Sequence, residues 1–358
     1  MKNPFNPKQL PVELNAEDII QILRIETEAR VKIERYNQLL NKSIIQQEVL
    51  MMFSMDESIQ STKIEGTQAT FDDIMEYEFT GEKKRDVQEV FNYMEALSTG
   101  AKLLETLPLS TRLFLKLHEI ILKDSRGQNR SPGEYRKIQN FIGPTSRIED
   151  ASYIPPEPHK IDSYMSNLEE YMNSNIDDLL GPIARAAIIH GQFETIHPFL
   201  DGNGRLGRIL IILYLLDQKL IETPSFFISQ QLEKNKYKYY TLLNNLRSSN
   251  PKWKDWIIFF LNSSIDQSDY YIDKLQTIES LYTELVGYAN ENNIRQDLIG
   301  YIFRRPMFTT NDVQSVLGIS YNTARNNISK LLDSGRLYAD DRKRNKIYRF
   351  YDLLDIVR

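Results

Sequence analysis

The sequence lacks cysteine altogether, which excludes disulfides and thiolate metal sites and fits a reducing compartment. Its start, Met1 to Asn15, has no apolar run long enough for a secretory signal. The most apolar stretch, Arg208 to Ile221, is too short and too flanked by charge to span a membrane. The expectation is a cytoplasmic protein with no membrane partner. A large charge of one sign is also missing. The net charge is −5, so any affinity for nucleic acid must come from a local basic patch. Internal repeats and low-complexity tracts are absent, and strand signals are sparse. What remains is ordinary for a globular protein: 358 residues, 41% apolar and 26% charged. That length predicts two or three domains.

Helical periodicity runs through most of the chain, so the expected fold class is mostly α. It marks Ala16–Leu40, Gln46–Thr62, Asp86–Leu107 and Ser110–Leu122, with Ser110 placed as an N-cap. Lys123 to Lys137 breaks the pattern with Gly, Pro and Ser and reads as a loop. Phe141 to Tyr153 alternates around a Pro-Thr-Ser turn and reads as a short β-hairpin, ended by Pro155, Pro156 and Pro158. Helices resume at Ile161, Gly181, Gly204, Ser229 and Trp253, the last of these long. From about Asn293 the pattern becomes helix, tight turn at Gly318-Ile319-Ser320, second helix, then two short strands around Asp340 to Lys346. That outline is a small winged helix-turn-helix. The expected division is an N-terminal helical region over 1–105, a catalytic core with trailing helices over 106–290, and the winged helix over 291–358.

The chemistry concentrates in His197 to Arg208, "HPFLDGNGRLGR". A glycine-rich turn opening a helix turns backbone N–H groups toward an anion, and the helix dipole adds to the attraction. Gly202, Asn203, Gly204, Leu206 and Gly207 belong to that turn and the helix it opens. Arg205 and Arg208, three apart, are expected near one helix face, where two guanidinium groups suit a di- or triphosphate. Asp201 is placed to hold Mg²⁺, which takes one or two carboxylates plus phosphate oxygens. His197 titrates near neutrality and can accept a hydroxyl proton. Phe199 is expected to anchor the loop in the core. His190 reads as packed or capping, and His118 and His159 are assigned no role.

The string resembles the signature of the Fic family, H-P-F-x-[D/E]-G-N-G-R-x-x-R, and matches it at every fixed position. "LHEIIL", "PGEYRKIQNFIG" and "FETIHPF" are similar to the family pattern as well, so the resemblance covers about residues 40 to 260. It implies a Fic-type helical core and transfer of AMP from ATP to a Ser, Thr or Tyr hydroxyl of a target protein or of the chain itself. His197 would be the base and Asp201 the Mg²⁺ ligand. Asn203 and the amides around Gly202 and Gly204 would hold phosphate, and Arg205 and Arg208 the leaving end. The hairpin would be the family's flap, binding a target segment by strand addition. Tyr239 and Tyr240 fall where the family's adenine pocket lies.

"STKIEG", Ser61 to Gly66, ends an amphipathic helix, with Ser61 and Glu65 on one face. It looks like the family's inhibitory motif, [S/T]-x-x-x-E-[G/N]. The resemblance implies that Glu65 lies against Arg208 and displaces ATP, with Ser61 orienting the glutamate. In some relatives the same glutamate is implied to position a water that removes AMP, which makes a hydrolase the alternative. A second alternative is a DNA-binding regulator with a nucleotide-sensing core. Residues 291–358 offer Asn322, Thr323, Arg325 and Asn326 on the second helix and Arg342, Lys343, Arg344 and Lys346 on the wing for DNA or for protein contact. Homodimerisation is left open by the sequence.

Overall fold

A computed structural model describes residues 3–81, 84–143, 145, 147–174 and 179–357. The described chain is mostly helical with one small antiparallel sheet. In chain order the helices are α1 (Ala16–Lys42), α2 (Gln46–Ile64), α3 (Phe71–Thr80), α4 (Arg85–Leu104), α5 (Thr111–Leu122), α6 (Ile161–Asn173), α7 (Pro182–Ile196) and α8 (Asn203–Asp217). There follow α9 (Ser229–Lys234), α10 (Lys236–Leu246), α11 (Trp253–Glu291) and α12 (Gln296–Arg304). After them come β1 (Met307–Phe308), α13 (Thr310–Leu317), α14 (Tyr321–Asp333), β2 (Tyr338–Ala339), β3 (Tyr348–Arg349) and α15 (Tyr351–Val357). None of the described helices is long and apolar enough to cross a membrane.

The chain divides into two compact units. The first comprises Met1–Arg35, Glu57–Thr70 and Glu82–Asp269; the second comprises Tyr36–Asp56, Phe71–Gly81 and Tyr270–Arg358. In the first unit α7 and α8 are apolar on nearly every side and are buried almost throughout, as such helices must be. Helix α8 packs against α4, α5 and α7, and α6 and α10 cover α7. Two devices fix α7. Glu26 accepts from the amides of Gly181 and Ile183 at its N-terminus, and the buried Trp256 indole donates to Ala187 O at 2.7 Å. Ser110 stands at the N-cap of α5 as expected, but its side chain makes no cap bond; Glu169 takes the Thr111 amide instead. The periodic stretch from Ser229 is two helices, broken at Asn235.

The expected hairpin reduces to a single antiparallel bridge, Ile142 to Tyr153, with a 3-10 turn at Ile148–Asp150. Pro144 and Ser146 of its expected turn lie outside the described residues. In the second unit the strands order as β1-β3-β2, with Arg349 opposite both Met307 and Tyr338. Phe303, Phe308 and Phe350 form its buried centre, and a reciprocal Thr309–Asp312 capping box opens α13.

Two core histidines make the fold acid-sensitive. Burial holds His118 down to about 4 and His190 down to about 3, against 6.5 for a free imidazole. The unfolded chain therefore takes up protons below pH 6.5 that the folded chain refuses until pH 3 to 4. Stability from these groups is complete above pH 6.5 and declines as pH falls through that window. Glu57 and Glu194, pushed up to about 7 by burial, act in the opposite direction between pH 7 and 5, so the histidine share is read from a variant: we expect His190→Gln to change the slope of melting temperature against pH by about one proton's worth. An identical slope in that variant would remove His190 from the account.

Candidate active site

The site begins where α7 ends. His197 is the residue after the helix, held in the left-handed region at φ +49°, and its amide still reaches Phe193 O. That conformation turns the chain sharply, so residues 197 to 202 form a tight loop before α8. Gly202 takes φ +79°, a value that non-glycine residues rarely adopt, and starts α8. The amides of Asn203, Gly204 and Arg205 precede the first intrahelical bond, Leu206 N to Gly202 O, and are the free donors of the helix N-terminus. Together with the helix dipole they form an anion cradle.

Four groups clamp the loop. Asn203 is buried and uses both ends of its amide on Phe199, accepting from its N–H and donating to its C=O, both at 2.9 Å. Asn140 donates to the same carbonyl. Arg136 donates through its backbone N–H to Pro198 O and through Nε to His197 O. His118 stacks on Phe199 with ring centroids 3.8 Å apart. Its Nδ1 accepts from Gly133 N–H, so Nε2 carries the proton and donates to Asp201 O at 2.9 Å. Phe199 is fully buried, the anchor that the sequence predicts. Asn203 thus fixes the loop, whereas the sequence suggests a phosphate ligand.

The His197 side chain is 17% exposed, with Nδ1 buried 3.8 Å from Glu194 Oε2. Burial first, then the nearby Arg247 and Arg136 charges, hold its imidazole neutral down to about pH 3. Neutral imidazole is the form that accepts a proton. Glu194 is itself buried and pushed up to about 7, by burial and then by the charge of Glu65.

The two arginines part company. Arg208 is buried and donates Nε to Ser61 Oγ, Nη2 to Ser61 O and Nη2 to Glu65 Oε1, each at 2.8 Å. Burial works against its charge, and Glu65 with its neighbours more than offsets that. Arg205 turns instead to Glu89 and Asp201, both at 3.1 Å, and Arg126 grips both oxygens of Glu89. The expectation that both guanidinium groups share one phosphate-facing side is therefore corrected: i,i+3 spacing sets direction only loosely, and the buried Glu89 and the half-exposed Asp201 claim Arg205. Leu206 is buried in the core behind the helix and does not line the cradle. Tyr239 is also buried, its hydroxyl on His190 Nε2 and its ring near Trp256, so it backs the site. Tyr240 is partly exposed and its hydroxyl reaches Ile64 O.

Glu65 arrives from the end of α2, where Gly66 N bonds Lys63 O and Thr67 N bonds Thr62 O, the paired bonds of a Schellman stop. It comes so close to α8 that a β-carbon at Gly204 would lie 2.1 Å from its Oε1. The same half of α2 is pinned by the buried Glu57, which accepts from Tyr93 and Ser229 hydroxyls and the Ser229 amide.

Among the described residues no three acidic or imidazole groups converge on one point. Asp201, with a side chain 39% exposed beside the cradle, offers a single hard oxygen donor set. That fits Mg²⁺, which binds through one carboxylate when phosphate supplies the other oxygens. Gly127 keeps space beside it: a β-carbon there would sit 2.9 Å from Asp201 Oδ2.

An anion cradle, a neutral histidine and a buried arginine thus belong to one loop and the helix it opens. Residues 108–215 match the Fic/DOC family and residues 23–102 match the Fic/DOC family N-terminal region, together just over half of the chain. The chain belongs to the Fic/DOC family. It is 26% identical over 203 residues to the protein adenylyltransferase Fic of Drosophila virilis, covering 57% of this chain and 38% of that one. It is 30% identical over 146 residues to the protein of the same name from Drosophila yakuba, covering 41% of this chain and 27% of that one. The matched region is thus well under half the length of these relatives. A crystal structure of a Fic family protein from Desulfovibrio desulfuricans aligns with a TM-score of 0.57 at 20% identity, over 96% of this chain and 98% of that one. A Fic-1 fragment from C. elegans aligns with a TM-score of 0.57 at 18% identity, over 72% of this chain and 75% of that one. At those identities the likeness concerns the fold.

Glu89, Arg126, Arg136, His118, Glu194 and Arg247 shape the site and are not singled out by the sequence reading. His118 and Arg136 lie inside the family-like strings; for Glu89, which meets Arg205 from 116 residues away, the sequence carries no signal. Asn203→Ala would strand the Phe199 amide without its partner, and such a loss costs about 1–3 kcal/mol. We expect a lowered denaturation midpoint at constant slope; an unshifted midpoint would show that Asn203 does not hold the loop.

Proposed function

We propose that the protein transfers AMP from ATP to a hydroxyl of a protein and is held back by Glu65. The observation that carries this reading is the grip of Ser61 and Glu65 on Arg208, beside a cradle next to a neutral histidine. The membership of the Fic/DOC family and the relatives named as adenylyltransferases support it.

In this reading the target's Ser, Thr or Tyr hydroxyl gives its proton to His197 Nε2. Its oxygen bonds to the α-phosphorus of ATP, and the bond to the β-phosphate oxygen breaks, releasing pyrophosphate. The depressed basicity of His197 keeps the acceptor free of protons at neutral pH, and bound phosphates would raise it toward a working value. The free amides of α8 stabilise charge on the phosphate oxygens. Asp201 would hold Mg²⁺, which would supply positive charge to offset that of the phosphates. Arg136, His118 and Asn203 keep the histidine and the cradle in register. Arg208 takes the terminal phosphates once Glu65 lets go, and Tyr240 stands beside the glutamate.

The test follows incorporation of label from α-labelled ATP into protein. Glu65→Gly is expected to raise it by about tenfold or more, the factor that about 1.4 kcal/mol of lost competition gives. Adding His197→Ala is expected to lower it again by about 10²–10⁴-fold, the usual contribution of a general base. No label in any variant, with cell lysate as target, would defeat the reading. A rise in Glu65→Gly that His197→Ala leaves intact would keep the brake and remove the base.

A second prediction concerns stability. Glu65→Gln leaves the buried Arg208 charge without a carboxylate, a loss of about 3–5 kcal/mol for a fully buried pair. The Glu65 side chain is 34% exposed, so solvent screening reduces the expected loss to about 1–2 kcal/mol. Thermal melts check this, and an unchanged melting temperature would mean that the pair contributes nothing net.

A further inference from the structure

The second unit carries a charged face that adenylyl transfer does not use. Residues 292–358 contain twelve Lys and Arg against seven Asp and Glu, in a chain of net charge −5. Several of these cations are engaged. Arg295 pairs with Asp297, Arg336 with Glu284 and Asp352, Arg342 with Asp340, and Arg349 with Glu76. Arg325, Lys343, Arg344 and Lys346 are exposed, and make no ion pair among the described residues.

Arg325 lies on α14 and the other three on the loop between β2 and β3. Helix α13 stops at Gly318, and Ser320 caps α14 by accepting from Thr323 N–H at 3.1 Å, so two helices meet across a three-residue turn. Helix α14 buries Ala324, Asn327, Ile328 and Leu331 within its unit. Asn322, Arg325 and Asn326 occupy the opposite, exposed side of its first two turns. The bond from Leu337 N to Leu331 O ties the end of α14 directly to the start of β2. Between β2 and β3 the chain makes a loop closed by Asp340 N to Ile347 O, exposed from Asp341 through Lys346. Asn345 at its tip takes φ +49° and meets the Asn311 side chain, on the first turn of α13.

We propose that this face of the second unit binds duplex DNA, with α14 in the major groove and the β2–β3 loop on the phosphate backbone. The major groove admits one α-helix, and Asn and Arg are the side chains that read adenine and guanine edges with two hydrogen bonds. Lys343, Arg344 and Lys346 neutralise phosphates and release counterions. Asp341 and Asp333 repel phosphate, which sets the contact to the N-terminal half of α14 and the far side of the loop. Tyr321 is exposed on the same first turn, but the unpaired cations around it favour a polyanion as partner. This activity stands apart from the adenylyl-transfer reading, because none of these residues lies in the first unit.

The test is fluorescence anisotropy of the full chain with a labelled mixed-sequence duplex about three helical turns long. Binding is expected to weaken with salt between about 50 and about 200 mM. The triple variant Lys343→Ala, Arg344→Ala, Lys346→Ala should lower affinity for every sequence and reduce the salt slope by about 2.7, at about 0.9 per phosphate contact. On a sequence selected from a random pool, Arg325→Ala should weaken binding about 5–150-fold with little change beyond one contact in slope. Melting temperature and label incorporation should be unchanged in the triple variant, which shows that it folds. Absence of binding at about 50 mM salt would overturn the proposal, as would wild-type affinity and slope in the triple variant. A triple variant that changes self-association or loses a bound protein, with no DNA binding in the wild type, would assign the face to protein instead.

Discussion

A guanidinium with almost no contact with water sits at the centre of the first unit, and the surrounding structure is arranged to tolerate it. Arg208 lies on α8, a helix otherwise made of core residues. A buried charge without a partner is among the most costly features a fold can carry. Here the counter-charge comes from a different part of the chain, the end of α2, 143 residues away. Ser61 supplies two further acceptors, its hydroxyl and its carbonyl. The position of α2 is thereby tied to the electrostatic needs of α8. Glu57 reinforces the tie through Tyr93 and Ser229, although burial pushes its carboxyl up to about 7.

The loop from His197 to Gly202 depends on the same economy of polar groups. Four carbonyls of the turn meet side-chain or backbone donors: His197 O and Pro198 O meet Arg136, Phe199 O meets Asn140 and Asn203, Asp201 O meets His118. Phe199 supplies the apolar weight around which they close. The result is a rigid presentation of the imidazole and of the helix amides, made from α5, the segment after it and α8. The positioning is done by side chains whose own bonds are satisfied, as a preorganised site requires.

Much of this was legible beforehand, and the reasons for the exceptions are physical. The mostly helical class follows from apolar spacing, and the Fic/DOC family from a twelve-residue string. The turn at Gly318 to Ser320 was visible as punctuation between two periodic stretches. Side-chain direction was not visible. Spacing placed Arg205 beside Arg208, but a long side chain on a buried helix goes where a carboxylate waits, and Glu89 is remote in sequence. Asn203 could be read as a donor to ligand, yet both ends of its amide serve the loop. Leu206 and Tyr239 belong to the same strings as functional residues and turn out to be their support. His118 shows the converse, because an apolar helix hides a histidine that joins the loop, through Nε2, to the segment after α5, through Nδ1.

A β-carbon at Gly204 would lie 2.1 Å from Glu65 Oε1, so size matters there as much as charge. The carboxylate fills the volume directly over the first turn of α8, where an anion drawn to those amides would have to sit. Neutralising it would not empty that volume, since an amide of the same shape occupies it as fully. In the proposed reading, access to the amides is a matter of displacement: the side chain swings away, or the end of α2 moves with it.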